Sequence, residues 1–259
     1  MRQQGYWADL KAPDFMTLDP DTVAILPLGA TEQHGPHLPL SVDTTLTDTV
    51  LARSLPLWPA GVSALILPTL TVTKSNEHLN HPGTLTYSAR TLLATLDDIA
   101  ASVARTPVRR LLMINGHGGN TAVLEVACRE IRIAHGLITA HASWFAFTDT
   151  KGLLAPEDEI HDIHAGDLET SAMLAAAPDL VDMAHAPNTP PNSREWTAAG
   201  LTGQPARPGW IIDDVSDTGV CGDATAATAE KGAHLLDTAA RSFAAYLPEF
   251  AAFDPQKCP

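Results

Sequence analysis

RRLLMINGHGGNTAVLEVACREIRIAHGLITAHASWF, residues 109–145, strings together an apolar run, a glycine-rich turn, a helical pattern and a second apolar run. RRLLMIN (109–115) reads as a buried strand. TAVLEVACREIRIAHG reads as a helix, with Asn120 at the cap position and Gly136 where the helix would stop. LITAHASWF (137–145) reads as the next strand. Two buried strands joined through a helix form the unit from which parallel sheets are built.

The same order recurs upstream. TVAILPLGA (22–30) is a short apolar run ending in Gly, and TTLTDTVLARSL after it reads as a helix with Asp43 or Thr44 as N-cap. SALILPTL (63–70) reads as a strand, TVTKSNEHLNHPGT as a polar loop and SARTLLATLDDIAASVAR as a helix. The expectation is an α/β fold, a mostly parallel sheet with helices on both faces. There is no internal repeat and no low-complexity linker. The Pro-rich stretch Ala186 to Trp210 is taken as a long ordered loop, so residues 1–259 are expected to form one domain.

Apolar residues make up 45% of the chain and charged residues 18%, the composition of a soluble globular protein. Sixteen basic residues against 30 acidic give a net charge of -14, which argues against nucleic acid or an anionic membrane as partner. The N-terminal MRQQGYWADLKAPDF lacks an apolar targeting core. The uncharged run Ser54 to Thr73 is broken by Pro56, Pro59, Gly61 and Pro68, so it is not a membrane span. Cys128, Cys221 and Cys258 are widely spaced and suit reduced thiols in a cytoplasm.

In open α/β sheets ligands bind beyond the carboxyl ends of the strands. Glu32, His34, His37 and Asp43 follow the first apolar run in TEQHGPHLPLSVD; Glu77, His78 and His81 follow the second, His117 the third, and HDIHAGDLETS the fourth. Imidazole and carboxylate together, without Cys, suit borderline divalent ions such as Zn²⁺ and Mn²⁺. Glu32 and His34 can reach two adjacent ions across a turn at Gly35, Asp43 can bridge those ions, and His117 with one more carboxylate would complete both sites. Other readings stay open for the separate motifs. The first could be a hydrogen-bonded loop in which Asp43 only caps a helix, and GHGGN could be a phosphate-binding nest. His161 and His164, spaced i, i+3, could share a helix face or simply be surface histidines.

LGATEQHGPHLPLSVD, SNEHLNHPGT, NGHGGN, HAGDLETS and TGVCGDATAATAEKG, in that order, resemble the creatininase (creatinine amidohydrolase) family. The resemblance implies a three-layer αβα sandwich, two divalent metal ions per chain (Zn²⁺, Mn²⁺ or Fe²⁺), hydrolysis of non-peptide or unusual C–N bonds, and a homohexamer. Carried over, Glu32 and His117 would hold one metal, His34 the other, and Asp43 would bridge. Water between two such ions is acidified toward a hydroxide nucleophile. His164 would protonate the leaving nitrogen, and His37 would orient a ligand. Glu77, His78, Gly118 and Gly119 are expected to meet the substrate.

Two departures bear on substrate and ligands. Creatininase itself has a Glu ligand two residues after the His of the third motif, where this chain has Gly119. Glu169 is expected to replace it, with Asp167 as the competitor. A Trp-Asp-x-Glu-His segment that grips creatinine is represented only by Ile160, His161, Asp162, Ile163 and His164. The expected substrate is therefore a small cyclic amide or formamide rather than creatinine. The GHGGN form looks more like the branch with formamide hydrolases and the mycofactocin-maturing peptidase. Peptidase-like maturation of a modified peptide is one alternative, and a non-catalytic small-molecule-binding protein on the same fold is another.

Overall fold

The computed structural model describes residues 3–154, 159–198, 200 and 206–257. A short strand β1 (Gln4–Tyr6) precedes β2 (Val23–Leu28), the first apolar run. Helix α1 (Val42–Ser54), β3 (Ala64–Ile66), α2 (Ala89–Ala104), β4 (Arg110–Asn115), α3 (Thr121–His135) and β5 (Ile138–Ser143) follow in strict alternation. After α4 (Asp167–Ala176) come β6 (Asn188–Thr189), the single turn α5 (Ile212–Val215) and β7 (Gly222–Asp223); β6 and β7 pair antiparallel, and the chain closes on the long α6 (Ala229–Ala252). The expected Pro-rich loop is only partly within view, since residues 199 and 201–205 lie outside the described residues, as does Cys258.

The main sheet has five strands in the order β1-β3-β2-β4-β5, every pair parallel. Its two faces can be read from β2 and β4. Val23, Ile25, Leu112 and Ile114 pack with α1, α4 and α6, whereas Ala24, Leu26, Leu28, Leu111 and Met113 pack with α2 and α3. Alternate side chains of one strand therefore feed two separate cores, so these strands look uniformly apolar in sequence. β2 connects through α1 to a neighbour on one side, and β4 through α3 to a neighbour on the other. Crossovers of one hand then put α1 and α3 on opposite faces and leave a crevice between the carboxyl ends of β2 and β4.

Sequence reading placed most boundaries within two residues and missed others. β1 was not anticipated, because three half-exposed residues at a sheet edge carry no periodicity. The N-cap of α1 is Ser41, not Asp43 or Thr44; Asp43 lies within the first turn with its carboxylate buried. His161 and His164 share no helix face, since α4 begins at Asp167 and His164 belongs to a bridge with Cys221.

Candidate metal centre

Two glycines seat α1 in the crevice. A Cβ at Gly29, just past β2, would lie 2.3 Å from Thr44 Oγ1, and one at Gly116, just past β4, would lie 2.3 Å from Thr47 Oγ1 and 2.6 Å from the Asp43 carbonyl oxygen. With no side chain at either place, the first turn of α1 packs directly on both strand ends. Asp43 is thereby carried to the site. On the other flank Ala165 adopts φ 55°, a left-handed turn uncommon for a residue with a side chain. Its N–H donates to Glu169 Oε2 at 2.6 Å and holds that carboxylate toward the crevice.

Around this turn Glu32, His34, Asp43, His117, His164 and Glu169 converge. The orientation of three imidazoles follows from obligate acceptors, because a backbone carbonyl can only receive a proton. His34 Nδ1–H donates to the Glu32 carbonyl (3.0 Å), His117 Nε2–H to the Lys74 carbonyl (2.9 Å) and His164 Nε2–H to the Gln33 carbonyl (2.8 Å). The remaining nitrogen of each ring turns its lone pair inward. His34 Nε2 lies 3.3 Å from Asp43 Oδ1 and 3.8 Å from Glu169 Oε2. His117 Nδ1 lies 3.2 Å from Glu32 Oε2 and 3.4 Å from Asp43 Oδ2, and His164 Nδ1 lies 3.5 Å from Glu32 Oε1.

Lone pairs facing carboxylates repel unless a cation or a proton lies between them. Glu32 Oε1, His34 Nε2 and Asp43 Oδ2 are buried without a hydrogen bond, an arrangement that is costly without compensation. The acid–base balance shows the same pressure. Burial lifts the Glu32 carboxyl to about 7, with Asp43 adding to that rise. Burial opposes a charge on His34, yet Asp43, Glu169 and Glu32 prevail and raise it to about 9. Burial likewise opposes a charge on His117, and Glu32 and Asp43 carry it well above its ordinary value. Burial also raises the Glu169 carboxyl, while burial and the neighbouring His34 and His78 hold His164 well below the usual imidazole range.

Protons meet here the electrostatic need that divalent cations would meet. Among the described residues, three groups offer ligand atoms within 4.8 Å of one another: Glu32, Asp43 and His117; His34, Asp43 and Glu169; and Glu32, His34 and His164. Asp43 is common to the first two. These donors fit a pair of borderline divalent ions.

The other expected residues take varied places. His37 is buried and its Nε2 bonds Thr170 Oγ1 at 2.8 Å, which ties the first motif to α4. His78 is buried with Nε2 3.3 Å from Glu32 Oε1. Glu77, Gly118 and Gly119 line a cavity of about 530 Å³ above the cluster. A Cβ at Gly119 would fall 1.9 Å from Glu77 Oε1 and 2.4 Å from His117 Nε2, so the Glu77 carboxylate occupies the space of a side chain at 119. Burial opposes the charge on that carboxylate, yet His117 and, to a smaller extent, Lys74 hold it ionised, at a pKa of about 2. His81 is not in the cavity; together with Asn80 it binds Asp213 at the surface. Asp167 faces away and pairs with Lys231 Nζ at 2.5 Å.

Sequence reading did not single out Gln33, Lys74, Ser75 or Trp210. Ser75 Oγ donates to Glu32 Oε2. Trp210 lines the cavity beside Ile160 and Ile163, and is held from below by the small apolar cluster of Ile212, Val215 and Cys221. Gln33 stood inside the first motif and could have been suspected from that. Trp210 lies in an aperiodic segment that gives no signal.

A 34% identical stretch of 242 residues, 87% of this chain and 86% of the relative, matches a mycofactocin precursor peptide peptidase of Mycobacterium tuberculosis. A creatinine amidohydrolase of Pseudomonas putida is 36% identical over 188 residues, 66% of this chain and 70% of the relative. The solved structure of a creatininase in its Mn form superposes with a TM-score of 0.72 at 28% identity, covering 96% of this chain and 99% of the other. The family model for creatininase, creatinine amidohydrolase, matches residues 8–247, from just after β1 into α6. With its five motifs meeting at one sheet edge and its relatives aligned over most of their length, this chain belongs to the creatininase family.

Proposed function

We propose that this amidohydrolase is metal-dependent and cleaves an amide bond in a peptide-sized substrate. The observation that carries the reading is the cavity: about 530 Å³, with carboxylates and imidazoles as its floor and Ile160, Ile163 and Trp210 in its wall. That volume lies within the range of about 300–1,000 Å³ typical of drug-sized ligands, well beyond one small ring. The similarity to a mycofactocin precursor peptide peptidase supports the same choice. A small cyclic amide or formamide is the second reading, favoured by the similarity to a creatinine amidohydrolase.

Glu32, Asp43 and His117 would hold one divalent ion, and His34, Asp43 and Glu169 the other. Such ions, when bound, acidify water and polarise a carbonyl. The chain supplies the rest. His164 lies between His34 and His78, with ring centroids 4.3 and 4.5 Å away, and its inward Nδ1 is a proton acceptor in the state seen here. It would take the proton released from the attacking water and pass it to the leaving nitrogen, so it acts first as base and only then as the expected donor. Apolar walls keep bulk water from the reacting carbonyl.

The discriminating assay compares short peptides, N-formyl compounds, cyclic amides and creatinine on the same preparation. Peptide hydrolysis with little creatinine turnover is expected. Efficient creatinine turnover with inert peptides would overturn the peptide reading. Trp210→Ala is expected to raise KM about tenfold with kcat nearly unchanged, the effect of about 1.4 kcal/mol of lost apolar contact made equally before and during reaction. An unchanged KM would remove Trp210 from the substrate wall.

A further inference from the structure

Gln33 is the buried polar residue of the first motif whose side chain the scheme above leaves unused, and its amide lies where four chain segments meet. Its Oε1 accepts from Gly35 N at 2.9 Å, and its Nε2 donates to the Gly219 carbonyl at 3.0 Å. A backbone N–H can only donate and a carbonyl can only accept, so these two bonds settle which way the amide points. A third contact joins Nε2 to His78 Nδ1 at 2.8 Å. Since that end of the amide is NH₂, His78 Nδ1 must be the acceptor, and the ring proton of His78 must sit on Nε2, which faces Glu32 Oε1. Nε2 of Gln33 also lies 3.2 Å from His164 Nε2, but both atoms already donate elsewhere, to Gly219 and to the Gln33 carbonyl.

The close approach at Gly219 shows that this amide is built in. A Cβ there would lie 2.3 Å from Gln33 Oε1, and Gly219 has φ +79°, which a side chain disfavours. The TGVCGDAT segment therefore yields both a carbonyl and an empty space to one side chain 186 residues away in sequence.

We propose that Gln33 is a positioning residue that fixes the Nε2–H tautomer on two neighbouring imidazoles presented in opposite senses: its side-chain amide holds His78 Nδ1, so that the Nε2–H of His78 points toward Glu32, and its backbone carbonyl holds the Nε2–H of His164, so that the Nδ1 lone pair of His164 faces the site. One ring then turns its N–H to the Glu32 carboxylate while the other is free to take a proton, a division of labour that comes from which nitrogen of each ring is held by Gln33. The tautomer assignment stands on the hydrogen bonds alone; its consequence for turnover rests on the hydrolase reading.

The test uses the full chain labelled with ¹⁵N-histidine, metal-stripped and zinc-loaded, in long-range ¹H–¹⁵N correlation spectra that show which ring nitrogen carries the proton. Wild type is expected to show Nε2–H for both His78 and His164. In Gln33→Glu, where an acceptor replaces the donor, His78 gains a proton at Nδ1 while His164 keeps its pattern, because the carbonyl that holds it is retained. In Gln33→Met, His78 samples both tautomers, and kcat falls about 10–100-fold with zinc content near that of wild type. An Nδ1–H tautomer of His78 in wild type overturns the proposal, as does a His78 pattern unchanged in both variants. If neither variant folds, the wild-type spectrum still decides. Changed tautomers with unchanged kcat would overturn the positioning role. A wild-type chain inert on every amide would instead sink the hydrolase reading and leave the tautomer result standing.

Discussion

Asp43→Asn is expected to strip the chain of nearly all its divalent metal, from about two ions per chain to well below one, and to lower turnover more than about a hundredfold. Asp43 sits in the first turn of α1, 2% exposed, with one oxygen toward His34 and the other toward His117. It is the residue shared by the two groups proposed to hold the ions, Glu32, Asp43, His117 and His34, Asp43, Glu169, so its loss touches both at once. Asn keeps the shape, but it removes a negative charge from a buried cluster and turns one arm into an NH₂ donor. Losing an outer partner of a metal ligand costs about 10–100-fold, and a shared ligand should exceed that. Elemental analysis of dialysed protein beside the turnover assay makes the test. Retention of about two ions with near-normal turnover would show that the cluster holds its metal without Asp43.

Glu169→Gln is expected to remove about one ion rather than two, together with most of the activity, while Asp167→Asn leaves metal and activity in place and lowers stability by about 1.5–3 kcal/mol. The geometry separates these neighbouring carboxylates. Glu169 Oε2 is held by the Ala165 N–H and points at His34 Nε2, and it belongs to only one group with Asp43. Asp167 accepts from Lys231 Nζ and from Ser171 Oγ (2.9 Å), so it joins α4 to α6 and faces away from the crevice. A charge count gives the same expectation. Two divalent ions bring four positive charges, and Glu32 and Asp43 leave a surplus that a third buried carboxylate reduces. Metal content and a melting curve for the two variants decide the matter; an Asp167→Asn protein that folds normally yet lacks one ion would transfer the role to Asp167.

Much of the site could be read from the chain because the strands fix where their sequels emerge. Glu32 and His117 each follow a buried run that could only be an interior strand, so their meeting at one sheet edge follows from the parallel order. Glu169 lies in the first turn of α4 just after Gly166, with His164 in the preceding loop, so the two flank the crevice from adjoining segments. The expected role of Asp43 as N-cap failed because a Ser two residues earlier takes that position. The helix then projects its acidic first turn into the crevice rather than across its own end. Among the described residues, no helix is long and apolar enough to cross a membrane, in line with the proline-broken run at 54–73.

What the amino-acid sequence determined alone is the order of strands and helices, the two-faced sheet and the identity of the acids and imidazoles at its edge. Those depend on local periodicity and on turn chemistry a few residues long. Tertiary structure alone decided which nitrogen of His117 and of His164 faces inward. That choice belongs to carbonyls supplied from afar: His117 by Lys74, 43 residues away, and His164 by Gln33, 131 residues away. It alone also brought Trp210 over the cavity and turned Asp167 toward Lys231. A side chain's lone pair is directed by its partner, and a partner that distant becomes a neighbour only when the sheet has closed.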